Sequence, residues 1–287
     1  MLLAVALMLQ SCTATARPTF EELRNATINS LPGGPISLRE GAYEGPAFLP
    51  GRASRRRVTL WARPLAFGAL AGGRAENAVA LLSISEGGSG SVVYVGVFQE
   101  RSGRVADVGM APVGDRIEVR ALSIVDRAVV LDVVEAGAGD AMCCPGQLAQ
   151  KSYAFRDGAL TLVSSSVTGR LSLAALADAE WTLVSLDGQP LSQAARPPTA
   201  VFEGTRVSGF GGCNRYFGQV VETSPGAITV GPLAGTKMAC PSPAMEVEDR
   251  FLAAMSRATR YSFVGGRLVL SGDGGTSREL TFEPAAR

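Results

Sequence analysis

Five cysteines, at positions 12, 143, 144, 213 and 240, carry most of the chemistry open to this chain, and no histidine accompanies them. Without histidine there is no Ser-His-Asp triad, no Cys-His dyad and no imidazole metal site. What remains is a carboxylate pair, a Ser-Lys pair or an activated thiol. Cys143 and Cys144 are adjacent within Asp140-Ala141-Met142-Cys143-Cys144-Pro145. Two thiols with no nearby partner make an incomplete zinc set, so no metal is expected. In an exported protein disulfide bonding is the default. The expectation is therefore a vicinal disulfide or two structural thiols, with a redox pair as the alternative.

Glu246, Glu248 and Asp249 would stand at successive angles of a helix, where they do not converge, and so read as a solvated face. Asn214, Arg215, Thr236 and Lys237 form a better candidate binding cluster, although hydrogen bonding that stabilises a turn accounts for them more simply. Gly68 to Asn77 has Ala69, Ala71 and Gly73 where a calcium loop needs oxygen donors. Gly87-Gly88-Ser89-Gly90 lacks the Lys-Ser/Thr of a phosphate loop, and Ser91 stands where a nucleophile elbow needs glycine. No cofactor is implied.

Positioning elements follow from composition and pattern. With 287 residues, 46% of them hydrophobic, the chain can fill two cores. Thirty-four glycines and the scarcity of long helical periods indicate short strands joined by tight turns. The fold class is mainly β (α+β), in two antiparallel β-rich domains. A net charge of +1 gives no case for nucleic acid, and the basic run Arg52 to Arg57 reads as a solvated loop.

Met1 to Leu9 is an apolar run of signal-peptide length, far too short to span a bilayer. Leu9-Gln10-Ser11-Cys12 resembles the bacterial lipobox, which implies a signal peptide over 1–11, lipidation at Cys12 and a tether over 12–18. The chain departs from that pattern in having no Lys or Arg before the apolar run. Thr19 to Glu22 fits a capping box, predicting a helix through about Ile28. Strand-like runs follow at Ile36 to Tyr43, Val58 to Phe67, Ala78 to Ile84, Val92 to Gln99, Arg116 to Ile124 and Ala128 to Val134. Tyr153 to Phe155 and Ala159 to Ser164 make a hairpin around Arg156-Asp157-Gly158. A β-rich domain over 19–173 results, with the boundary near residue 174.

The second half carries Trp181-Thr182-Leu183, Phe202, Gly211-Gly212-Cys213-Asn214-Arg215-Tyr216, Gly231-Pro232-Leu233-Ala234, Thr236 to Cys240 and a Glu-x-x-Phe-Leu helix. Together these resemble the META domain, the family of the heat-shock lipoprotein HslJ, over 174–287. The first half, with its lipobox and DxMCCP segment, resembles a module of bacterial lipoproteins. The resemblance implies a sheet packed on one helix and a part in stress tolerance, and it carries no catalytic residue.

Read from the residues, Gly209, Gly211 and Gly212 allow a sharp turn, and Asn214 can bond its own backbone there. A Cys213–Cys240 disulfide would tie that turn to the helix entrance and leave each domain self-contained. Ser242 as N-cap and Pro243 at N1 would start the helix, with Val247, Phe251, Leu252 and Met255 on its buried stripe. The functional expectation is a non-enzymatic envelope lipoprotein in stress resistance. It would be held through Cys12 at the outer membrane facing the periplasm, with envelope proteins as its partners. The alternatives are a periplasmic module binding a peptide or small ligand, and a thiol redox protein using Cys143 and Cys144.

Overall fold

The computed structural model describes residues 17–70, 76–88, 90–101, 103–141, 144–177, 179–191, 196–272 and 279–285. The apolar leader, Cys12, residues 71–75, Ser89 and Cys143 lie outside them.

Thr19 caps the first helix, α1 (Phe20–Leu23). Its hydroxyl accepts from the Glu22 amide and the Glu22 carboxylate accepts from the Thr19 amide at 2.8 Å. The helix stops at one turn, short of the length that the sequence suggests, because Thr27 and Ile28 leave it to pair as a strand. Strands β1 (Thr27–Ile28), β2 (Ile36–Ser37), β3 (Ala42–Ala47), β4 (Arg55–Leu60), β5 (Ala66–Gly68), β6 (Asn77–Ser85), β7 (Val92–Arg101) and β8 (Arg104–Asp115) follow. They form one sheet in the order β2-β1-β8-β7-β6-β4-β3, with β5 beside β6. Strand β8 is absent from the sequence expectation, since Gly109 and Pro112 break its apolar alternation. The ladder to β7 absorbs them with register shifts at Val93/Tyr94 and Val97/Phe98.

A second sheet, in the order β12-β11-β10-β9, comprises β9 (Glu118–Val125), β10 (Ala128–Glu135), β11 (Gln147–Arg156) and β12 (Ala159–Arg170). Asp126 and Arg127 both have positive φ (49° and 65°), as a two-residue hairpin turn requires. The two sheets face one another. Val79, Leu81, Val95 and Val97 of the first meet Val119, Leu131, Val133 and Tyr153 of the second in one buried cluster. Strand β6 is buried on both faces, because Ala78, Ala80 and Leu82 pack on the far side against Leu23, Ile28 and Leu38.

After a 3-10 turn (Leu173–Leu176) come β13 (Trp181–Leu186), β14 (Gln189–Pro190), β15 (Thr199–Glu203), β16 (Arg206–Phe210), β17 (Arg215–Ser224), β18 (Ala227–Val230) and β19 (Ala234–Gly235). Helix α2 (Ala244–Met255), β20 (Arg260–Val264), β21 (Arg267–Ser271) and β22 (Leu280–Pro284) complete the chain. This third sheet runs β14-β13-β15-β16-β17-β18-β20-β21-β22 and closes on itself, because β22 also pairs with β13 from Trp181↔Pro284 to Leu186↔Leu280. Closure removes the sheet's free edges. Phe251 of α2 sits edge-on to Tyr216 (5.4 Å between centroids) and Phe282 (6.3 Å), joining the helix to the barrel core.

The two halves share surfaces. Val134 of β10 and Leu171, Leu173 and Leu176 of the connector all belong to the barrel's core cluster. The edge strand β9 is covered by the β20–β21 hairpin: Gly266 N–H donates to the Val119 carbonyl (2.9 Å) and Phe263 N–H to Glu118 Oε2 (2.8 Å). Arg120 lies over the Phe263 ring at 5.2 Å. Burial pushes the Glu118 carboxyl up to about 7, although the Phe263 amide and Arg260 hold it down.

Candidate functional site

The turn between β16 and β17 holds the predicted polar cluster. Gly212 has φ +125°, a conformation that a side chain resists, and a Cβ on Gly211 would lie 2.9 Å from Glu248 Oε2. The turn closes through Gly211 N–H donating to the Asn214 carbonyl at 2.7 Å. Cys213 and Cys240 are disulfide-bonded with Cα atoms 5.9 Å apart, tying the turn to the segment that enters α2.

Asn214 is 7% exposed and every polar atom of its side chain is engaged. Its Oδ1 accepts from the Thr236 hydroxyl (2.9 Å) and the Met238 amide (2.7 Å), and its Nδ2 donates to Glu248 Oε1 (2.9 Å) and the Met238 carbonyl (3.3 Å). Thr236 Oγ1 also accepts from the Arg215 amide at 3.3 Å. Asn214 and Thr236 are therefore spent on the turn. Arg215 points outward from β17, and Lys237 is exposed beside them.

Glu248 corrects the sequence reading. It is 9% exposed, and its Oε2 accepts the amides of Cys213 (3.1 Å) and Asn214, besides the Asn214 side chain on Oε1. The carboxylate supplies acceptors to a turn whose peptide donors have no strand partner. Glu246 and Asp249 are exposed. The helix start differs as well. Pro243 occupies the N-cap position with no side-chain cap, and the Ser242 hydroxyl donates to the Glu246 carboxylate at 2.7 Å. The buried face turns accordingly to Glu248, Phe251, Ala254 and Met255, leaving Val247 and Leu252 half-buried.

Beside this turn, on the outer face of β15–β17, lies an open groove of about 770 Å³. Thr199, Ser208, Gly209 and Tyr216 line it, and Phe210, Phe217, Met238, Arg196, Arg206 and Arg215 border it. Alternation creates this wall. Tyr216 and Val220 point into the barrel, so Arg215 and Phe217 point out, and Arg206, Ser208 and Phe210 stand beside them on β16. Arg196 covers the Phe210 ring at 4.5 Å and Arg206 the Phe217 ring at 4.7 Å. The sequence reading missed Arg196, Arg206, Phe210 and Phe217. The available signal was a phenylalanine in β17 out of phase with its buried neighbours.

With the barrel and its disulfide-bonded turn in place, this half can be set beside known families. Residues 174–286 match the META domain. Two solved structures are similar over the same share of the chain. An NMR structure of a protein from Burkholderia xenovorans is 28% identical, covering 40% of this chain and 87% of that one, with a TM-score of 0.34. A second NMR structure is 26% identical, covering 40% and 96%, with a TM-score of 0.33. No curated protein matches. The groove lies wholly within the META domain.

Asp140 opens the DxMCCP segment. Its carboxylate takes both guanidinium nitrogens of Arg170 (2.9 and 2.6 Å) and the amides of Gly137 (2.8 Å) and Gly146 (2.9 Å). Arg170 and these amides hold the Asp140 carboxyl down to about 2. Cys144 Sγ accepts from Arg260 Nη2 of the META domain at 3.4 Å. Among the described residues no group of three His, Cys, Asp or Glu could hold a metal ion, and no helix is long and apolar enough to cross a membrane.

Proposed function

We propose that this chain is a non-enzymatic lipoprotein of the bacterial cell envelope, anchored through Cys12, whose META domain acts by binding in resistance to envelope stress. The observation that carries the binding role is the division of labour around the β16–β17 turn. Asn214, Thr236 and Glu248 are consumed in holding the backbone, while the neighbouring groove presents arginines and aromatic rings to solvent. The anchor reading rests on Leu9-Gln10-Ser11-Cys12 after an apolar run. A lipid chain holds a protein at a membrane without a spanning helix, and stable anchoring takes more than one chain.

The test is fractionation. Wild type should take up labelled palmitate and sediment with membranes, and Cys12→Ala should appear in the soluble fraction. A wild type without label and a mutant that still sediments would refute the anchor. For the binding role, Ser208→Trp fills the groove from β16, and cells carrying it should show the same envelope-stress sensitivity as cells lacking the protein. Full resistance in the Ser208→Trp strain would remove the groove from the function.

A further inference from the structure

We infer that the META groove is a site for a phosphate-bearing amphiphile, a ligand with an anionic head and an apolar part. The inference rests on the groove being a ligand site and adds the chemistry of its occupant. Charge is the first argument. The whole chain is nearly neutral at +1, yet Arg196, Arg206 and Arg215 face this groove against a single carboxylate, Glu180. Among the described residues none of these three arginines makes an ion pair; Arg39, Arg52 and Arg104 are likewise without one, and what sets the three apart is that they face a single groove. Three guanidiniums therefore stand at one groove with one carboxylate among its lining residues.

The second argument is preorganisation. Arg196 and Arg206 lie over Phe210 and Phe217. A guanidinium stacked on a ring has its face covered while its N–H edge stays available for bidentate bonding to an oxyanion. Part of the ordering cost of these side chains is met before any ligand arrives. A phosphate monoester brings three acceptor oxygens and more than one negative charge, so it can be shared by several guanidiniums, which a carboxylate with two oxygens does less well.

The third argument concerns the rest of the ligand. Phe217 is 47% exposed and Met238 59% exposed at the groove border. A groove of about 770 Å³ has far more room than a phosphate ion needs, and it falls within the range of small-molecule sites. Apolar side chains beside the cations call for an apolar segment joined to the head group.

Calorimetric titration of the full chain with octyl phosphate, octyl glucoside and inorganic phosphate, each below its aggregation threshold, tests the inference. Octyl phosphate should bind, and rising salt should weaken it. Arg206→Gln and Arg215→Gln, both surface changes, should each raise its Kd about tenfold or more, the effect of losing a charge-assisted hydrogen bond. Met238→Ala, which leaves both stacked arginine–phenylalanine pairs in place, should weaken octyl phosphate and leave inorganic phosphate unaffected. Equal binding of octyl glucoside, abolished by Ser208→Trp, would keep the groove as a ligand site and overturn its anionic class. Inorganic phosphate binding as tightly as octyl phosphate would overturn the apolar half. Failure of every probe, or indifference to both arginine variants, would sink the inference outright.

Discussion

Replacing Glu248 by alanine should unfold the META domain far more readily than an ordinary helix-surface change. Glu248 accepts from two peptide amides and one side-chain amide, in residues 3% (Cys213) and 7% (Asn214) exposed. A buried donor left unsatisfied costs about 1–3 kcal/mol. Two peptide donors and one side-chain donor lose their acceptor together, and the Cys213–Cys240 bond keeps the turn from relaxing towards water. The expected loss is three such costs, roughly 3–9 kcal/mol, a large share of the roughly 5–15 kcal/mol that stabilises a domain. Glu248→Gln separates charge from shape. Its one oxygen can still serve the two peptide amides, but its NH₂ then faces the Asn214 NH₂. That amide cannot turn over, because Asn214 Oδ1 is held by Thr236 and Met238. Gln should therefore lose about 1–3 kcal/mol, less than Ala. Urea unfolding of the full chain in a Trp61→Phe background, followed by Trp181 fluorescence at constant m-value, gives both numbers. A Glu248→Ala protein within about 1 kcal/mol of wild type would refute the assignment of Glu248 as the acceptor for the turn.

Two further expectations concern the junction. Glu118 titrates at about 7 in the folded chain against an ordinary 4.5, so the folded state binds its proton more tightly than the unfolded one. Its contribution to stability is therefore greatest at low pH, declines as pH rises from about 4.5 to about 7, and is flat above, a span worth about 3 kcal/mol. Glu118→Gln keeps an acceptor for the Phe263 amide, so unfolding measured from pH 4.5 to 8 should lose that slope; an unchanged slope would remove Glu118 as its source. A fragment beginning at Leu171 should unfold cooperatively. One beginning at Ala179 should be several kcal/mol weaker, because it lacks Leu171, Leu173 and Leu176 of the core and the Leu176 carbonyl that accepts from Trp181 Nε1 at 2.9 Å. Equal urea midpoints for the two fragments would show that the connector contributes nothing.

Much of this protein follows from local pattern. The capping box at Thr19, the positive-φ hairpin turns at Asp126-Arg127 and Asp157-Gly158, and the strands around Ala78–Ile84 and Ala128–Val134 depend on side-chain period and turn chemistry within a few residues. The run from Gly211 to Tyr216 and the Thr236 to Cys240 segment marked the META domain for the same reason, since those residues build one turn and its disulfide. What tertiary structure decided lies where neighbours in space override the period. Strand β8 forms despite Gly109 and Pro112 because β7 offers a long ladder that tolerates shifted register. Strand β22 returning to β13 closes the third sheet into a barrel, and only that closure makes β15–β17 an outer wall where Arg206 and Phe210 of β16 stand beside Phe217 of β17 and Arg196, which precedes β15. Glu248 looks solvated on a helical wheel, yet it is buried because the β16–β17 turn brings its amides to that side of α2. A local pattern records which face a residue takes on its own element. What that face will meet depends on chain closure over tens of residues, which only the folded structure resolves.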